Sequence, residues 1–166
     1  VKSLSASRTR GVLSIGGLSF PCALGRSGKK VLKREGDGAT PLGLFSFEQV
    51  FYRQDHLMRP FTKLPVKSIK SKDGWCDTVG DRNYNRLIQH PYPCSAEALW
   101  RNDTLYDIII VLSYNRRPRK QGLGSAIFMH LARSGYLPTE GCIALKKCHL
   151  LYLLRRMRRK DLLVVR

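Results

Sequence analysis

The alternation of apolar and polar positions predicts a chain built mostly of short strands. Arg10 to Gly17 and Ser19 to Gly25 flank the turn signal Gly16-Gly17 and predict an opening hairpin. Leu44 to Tyr52 sets Leu44, Ser46 and Glu48 against Phe45, Phe47 and Gln49, the period of a strand with one buried face. The unbroken aliphatic run within Asp107 to Ser113 predicts a strand covered on both faces. Gly124 to Leu131 places Ala126, Phe128 and His130 on one side and Ile127, Met129 and Leu131 on the other. Cys142 to Leu145 reads as a short strand or strand-to-helix turn, and Asp161 to Val165 as a closing strand. The period becomes helical over Lys146 to Arg159, where positions 150, 153, 154 and 157 are apolar and Arg155, Arg156, Arg158 and Arg159 lie behind them. Ser95 to Trp100 predicts a second, short helix. Between these elements, Ser27 to Arg34 is basic, and Glu35 to Pro41 is rich in turn residues. Asp55 to Tyr92 lacks a period and predicts a long functional loop region.

No repeat, low-complexity tract or linker divides residues 1–166, which read as a single domain. With 166 residues, 43% of them hydrophobic, the chain can bury roughly two-thirds of its unfolded surface and needs no disulfide or metal to hold a core. Its longest aliphatic run, Ile108 to Leu112, is far too short for a membrane span. It opens at Val1 rather than Met, which is compatible with numbering that begins inside a longer precursor, and no export signal is expected within the chain as given. A net charge of +18, from 30 Lys and Arg against 12 Asp and Glu, calls for an anionic partner. No zinc-finger spacing, aromatic RNA-binding motif or helix-turn-helix pattern accompanies it, so no specific nucleic acid is expected. What remains is a basic polyanion-binding module, or a solvated surface on a protein working beside anionic wall polymer or membrane. The apolar stripe of the basic helix favours docking on a sheet over lying on a lipid surface.

The five cysteines, Cys22, Cys76, Cys94, Cys142 and Cys148, include no C-x-x-C pair, and the four histidines are scattered, so no metal site is predicted. A thiol is a good nucleophile only as thiolate, and a catalytic cysteine therefore wants an imidazole to take its proton. His130 and Cys142 are the candidates. Gly135 and Pro138 lie between them and allow the chain to loop back, and Gly141 lets a substrate carbonyl approach N–H groups at positions 141 and 142 as an oxyanion hole. On pattern alone, Cys142 reads more readily as a packed core residue than as a nucleophile.

Gly-Ser-Ala-Ile-Phe-Met-His at 124–130, followed by Thr-Glu-Gly-Cys-Ile-Ala-Leu at 139–145, resembles the active-site signature of the L,D-transpeptidase catalytic-domain family, the YkuD-like enzymes of the cell wall. Glu35-Gly36-Asp37-Gly38-Ala39-Thr40-Pro41-Leu42-Gly43-Leu44-Phe45 is similar to that family's Thr-Pro-x-Gly-x-Phe element. Gly74-Trp75-Cys76-Asp77, Tyr84-Asn85-Arg86, Leu99-Trp100-Arg101, Leu105-Tyr106-Asp107 and Tyr114-Asn115 resemble a subgroup's central motifs, so the likeness runs from about Lys30 to Leu154. It implies a mainly β domain, a mixed sandwich-like or barrel-like assembly with one short and one longer α-helix. It also implies that Cys142 attacks the diaminopimelate carbonyl of a peptidoglycan stem peptide, D-alanine leaves, and His130 is the general base. An amine then resolves the thioester, from another stem or from an acceptor protein; water in its place would make an L,D-carboxypeptidase. The partners implied are peptidoglycan stem peptides, the location is the periplasm or cell envelope, and no cofactor is needed. Thr139, Trp75, Tyr84 and Asn85 become candidates for substrate binding, with Trp75 and Tyr84 equally readable as core anchors. Thr139-Glu140-Gly141-Cys142 replaces the commoner Ser-His-Gly-Cys, and Ala144 stands where many members carry Arg, which leaves the acceptor open. A papain-like order is disfavoured, since His130 precedes Cys142.

Overall fold

The computed structural model describes residues 1–3 and 9–166. In chain order the elements are β1 (Lys2–Ser3), β2 (Arg10–Ile15), β3 (Leu18–Ala23), β4 (Lys29–Lys30), β5 (Thr40–Pro41), β6 (Gly43–Tyr52), β7 (Val66–Ser68), β8 (Asp73–Cys76), β9 (Leu87–Gln89), β10 (Ala96–Ala98), β11 (Ile108–Leu112), β12 (Phe128–Leu131), β13 (Ile143–Leu145), α1 (Lys147–Arg156) and β14 (Leu162–Val165). A single 3-10 turn, Ser134–Tyr136, lies between β12 and β13. The domain is mainly β.

The main sheet runs β1-β2-β3-β13-β12-β11-β6-β14, with β7 also on β6. A smaller sheet has the order β10-β8-β9, and β4 pairs with β5. β12 and β13 are parallel neighbours, which leaves Ala132 to Cys142 to carry the chain back between them. Both faces of the main sheet are covered. Ile108, Ile110 and Leu112 of β11 pack with Met129, Leu131, Ile143 and Leu145 under Leu150, Leu153, Leu154 and Met157 from the helical region. Ile109 and Val111 face the other way, onto Trp75, Leu99, Tyr106, Phe128 and Cys142. The strict alternation of one aliphatic strand thus builds two cores.

Four expectations are corrected. Ser95 to Trp100 forms no helix: Ala96–Ala98 pairs antiparallel with β8, Ala96 opposite Cys76. A six-residue segment cannot repay helix nucleation, and the β8 edge offers it a ladder. The domain consequently has one α-helix among the described residues. Asp55 to Tyr92 holds β7, β8 and β9, each too short to print a period on the sequence. In β6 the pairing skips Glu48, since Leu112 opposes Phe47 and Val111 opposes Gln49. That bulge shifts the parity, so Val50 rather than Gln49 joins Phe45 and Phe47 in the core, and the Gln49 amide instead donates to the Pro65 carbonyl at 2.8 Å. The strand expected from Gly124 begins only at Phe128, because Gly124 and Ala126 have φ of 100° and 50°.

Candidate active site

The β12–β13 register places Met129 opposite Ile143, His130 opposite Ala144 and Leu131 opposite Leu145. One step back, Phe128 stands beside Cys142, and its N–H points at the Cys142 Sγ at 3.4 Å. Period-two alternation therefore puts Phe128, His130, Cys142 and Ala144 on one face, away from the core beneath the helix. His130 and Cys142 are diagonal neighbours on that face. Both line a cavity of about 290 Å³, together with Glu97, Arg101, Tyr106 and Thr139.

The loop leading into Cys142 is tied down at each step. Thr139 N–H donates to the Leu24 carbonyl at 2.9 Å, and its own carbonyl accepts from Arg26 N–H at 2.8 Å. Its hydroxyl donates to the Cys142 carbonyl at 2.7 Å and accepts from the Gly141 N–H at 3.2 Å. Gly141 has φ 127°, and a Cβ there would lie 2.7 Å from the Ala39 carbonyl oxygen, so glycine is required on both counts. Ala39 is held in turn by Asp37, whose Oδ1 accepts from Ala39 N–H at 2.9 Å and from Lys33 Nζ at 2.6 Å. Burial would raise the Asp37 carboxyl, but the hydrogen bonds from Lys33, Arg34 and Ala39 outweigh it and bring it down to about 2. The Gly-Asp-Gly-Ala-Thr-Pro turn, remote in sequence, is the floor under Gly141.

His130 Nδ1 lies 2.8 Å from the Leu131 carbonyl. A carbonyl only accepts, so Nδ1 carries the proton and Nε2 is the free base. Cys142 Sγ donates to the Ala126 carbonyl at 3.2 Å. Ala126 is an uncommon alanine in the left-handed region, φ 50°, and Asn85 Oδ1 holds its N–H at 3.2 Å. Both reactive groups are buried, with His130 at 6% and Cys142 at 8% exposure. Burial, assisted by the Arg101 and Arg133 guanidiniums and opposed by the Leu131 bond, lowers His130 to about 4. Burial, with the Phe128 N–H opposing it and Glu97 adding to it, pushes the Cys142 thiol up to about 12. Both shifts favour a neutral thiol and a neutral imidazole over an imidazolium–thiolate pair in the resting site.

Trp75, Tyr84 and Asn85, expected at a binding wall, do not line the cavity and are 2%, 1% and 1% exposed. Asn85 Oδ1 accepts from Trp75 Nε1 at 2.9 Å, and its Nδ2 donates to the Tyr114 and Asn115 carbonyls at 3.2 and 2.8 Å. Tyr84 OH donates to Glu35 and accepts from Gly124 N–H. All three brace the segment entering β12. An edge-on aromatic chain continues from Trp75 to Phe128 and through Tyr106 to His130, with centroids 5.1, 6.3 and 5.3 Å apart.

Sequence reasoning missed Glu97, Arg101 and Arg133 on the cavity wall. Arg101 and Tyr106 lie in motifs already noticed, while Glu97 and Arg133 carry no signal of their own. Among the described residues, no group of three or more His, Cys, Asp or Glu side chains is placed to hold a metal ion, and no helix is long and apolar enough to cross a membrane. The model of the YkuD family, the L,D-transpeptidase catalytic domain, matches residues 6–165. Neither the curated proteins nor the solved structures contain a match to the chain.

Proposed function

The chain belongs to the YkuD family of L,D-transpeptidase catalytic domains, and from that membership we propose that it is a peptidoglycan L,D-transpeptidase working through a Cys142 acyl-enzyme. The family is cysteine-dependent and acts on peptidoglycan peptides. The observation that carries the assignment to these residues is the 2.8 Å contact of His130 Nδ1 with the Leu131 carbonyl. With Nδ1 donating to Leu131, its Nε2 lone pair is available on the face and in the cavity that hold the Cys142 thiol.

In the first half-reaction, Nε2 takes the Cys142 proton as Sγ attacks the diaminopimelate carbonyl of a stem tetrapeptide. The neutral resting pair makes proton transfer and attack a joint event, not a standing thiolate waiting for substrate. The tetrahedral oxyanion sits beside the Gly141–Cys142 backbone. The long bond from Gly141 N–H to Thr139 is weak enough to be exchanged for it. Collapse breaks the carbon–nitrogen bond, and His130 returns its proton to the departing D-alanine amine. In the second half-reaction an acceptor amine attacks the thioester. His130 takes its proton, and the proton goes back to the sulfur as the carbon–sulfur bond breaks. The acceptor is another stem's side-chain amine or a protein amine; water at the same step gives L,D-carboxypeptidase activity. In this reading Thr139 shapes the nucleophile loop, while Trp75, Tyr84 and Asn85 position β12. The work is done in the periplasm or cell envelope, where the +18 charge meets anionic wall polymer.

Incubation with disaccharide-tetrapeptide, products read by mass, tests this. Expected are D-alanine release and a 3-3 linked dimer, both absent in Cys142→Ala with its fold intact. Normal turnover by Cys142→Ala, or loss of turnover through Cys22, Cys76, Cys94 or Cys148 instead, removes the assignment. Salt-sensitive polyanion binding without any turnover would leave only a basic binding module.

A further inference from the structure

The ionised side chains that line the cavity, Glu97, Glu140, Arg101 and Arg133, are not all paired. Glu140 is paired outward, its Oε2 2.7 Å from Arg26 Nε. Arg101 grips Asp103 with two bonds of 2.9 and 2.7 Å, and its remaining nitrogen lies 3.3 Å from Glu97. Burial raises the Glu97 carboxyl, and Arg101 and Tyr106 hold it in place. His130 and Cys142 are neutral at their resting positions. That leaves Arg133. Among the described residues it makes no ion pair and no side-chain hydrogen bond, yet it lines the same cavity as Cys142 and His130. It stands two residues beyond the end of β12, its backbone extended at φ −65° and ψ 157° just before the 3-10 turn. Its field reaches His130.

We propose that Arg133 is the carboxylate receptor of this cavity, seating a carboxylate of the donor peptide beside the bond that Cys142 attacks. The inference rests on the transpeptidase reading for the identity of the peptide. A guanidinium is a planar, always-charged fork that matches a carboxylate with two parallel hydrogen bonds, and among the described residues exposed Arg133 is the fork in the cavity wall that no hydrogen bond or ion pair engages, although its charge also reaches Asp103. Arg101 already commits all three of its nitrogens to Asp103 and Glu97 and serves as the wall that holds Glu97. A stem tetrapeptide carries two carboxylates near the scissile bond, that of the terminal D-alanine and that of the diaminopimelate side chain. Leu137 and Pro138, which also line the cavity, add apolar surface beside Arg133.

Three synthetic donors separate the two sources: the free tetrapeptide, its C-terminal amide, and the peptide with lysine in place of diaminopimelate. Binding is measured at fixed low salt to Cys142→Ala, which needs no turnover, and acylation of wild-type Cys142 is followed by intact mass. Arg133→Gln is expected to weaken binding of the free tetrapeptide about tenfold, the scale of an exposed charge-assisted pair. Arg133→Lys is expected to recover part of that loss. One of the two carboxylate-deficient donors is expected to lose a similar factor on the Arg133 background and nothing further on Arg133→Gln, which names the source. Unchanged binding in Arg133→Gln, losses that multiply with both altered donors, or no binding of the tetrapeptide at all would overturn the proposal. Carboxylate-dependent binding through Arg133 without any acyl-enzyme would remove the transpeptidase reading and keep the receptor. Acylation indifferent to Arg133 would do the reverse.

Discussion

Replacing His130 by glutamine should flatten the acid limb of stability. Burial in the cavity wall lowers His130 from an ordinary 6.5 to about 4, while in the unfolded chain it titrates normally. Between those two values the unfolded state binds a proton that the folded state refuses, so unfolding becomes easier as the pH falls. The full stability is present above pH 6.5, the loss accumulates at about 1.4 kcal/mol per pH unit, and it ends below pH 4. The difference amounts to about 2.5 kcal/mol by pH 4.5 and about 3 kcal/mol at the limit. For a domain of this size it corresponds to a fall of about 5 to 10 °C in melting temperature. Urea unfolding of wild type and His130→Gln, from pH 7.5 to 4.5, measures it as the pH-dependent part of the difference between the two curves. Asp37 and Asp55, both brought down to about 2 by their hydrogen-bond partners despite opposing burial, lose their contributions from about pH 4 downward, and do so in both proteins. Parallel curves, differing by a constant within about 0.5 kcal/mol, would show that His130 titrates alike in both states. The neutral resting pair would then be refuted with them.

Further outcomes follow from the same geometry. Alkylation of Cys142 in the free enzyme should stay slow through neutral pH and climb only toward about pH 12, so a plateau near pH 7, read by peptide mapping to separate exposed Cys94 and Cys148, would contradict it. Asn85→Ala strips partners from Trp75, Ala126, Tyr114 and Asn115 and puts an alanine at φ 56°; unfolding should cost at least about 3 kcal/mol less, and Asn85→Gly should recover roughly 1 kcal/mol of that. Gly141→Ala drives a Cβ against the Ala39 carbonyl, so acylation should fall at least about a hundredfold; an alanine variant acylating at more than a tenth of the wild-type rate would mean the loop yields freely. Sacculus binding should weaken with ionic strength while turnover of a small tetrapeptide changes much less, and converting exposed Arg155, Arg156, Arg158 and Arg159 to glutamine should reproduce the high-salt effect; binding unchanged up to about 0.5 M salt would detach the charge from the wall.

The amino-acid sequence by itself determined the strands whose neighbours leave no choice. The Ile108 to Leu112 run is buried from end to end, and any backbone that alternates must send its side chains into two cores. The stripe at positions 150, 153, 154 and 157 dictated which helix face docks, although Met157 packs from just beyond the last helical turn. Cys142, His130 and Gly141 could be singled out as candidates from residue type and from the resemblance of their motifs, and the structure gives Gly141 a φ and a clearance that admit no side chain. The tertiary structure decided the rest, wherever a residue's role depends on a partner far along the chain. Ala96–Ala98 is a strand only because β8 presents an open edge, and Gln49 leaves the core only because Leu112 skips a residue opposite it. Trp75, Tyr84 and Asn85 have the side chains of a peptide-binding wall; what makes them braces is that the Trp75 indole N–H is spent on Asn85, and the polar atoms of Asn85 and Tyr84 on Ala126, Gly124 and Glu35. The charge state of the His130–Cys142 pair is decided in the same way. Residue type sets an imidazole near 6.5 and a thiol near 9, and only burial among packed neighbours moves them apart to about 4 and about 12, because the free energy of an ion depends on what surrounds it and that is not written locally in the chain.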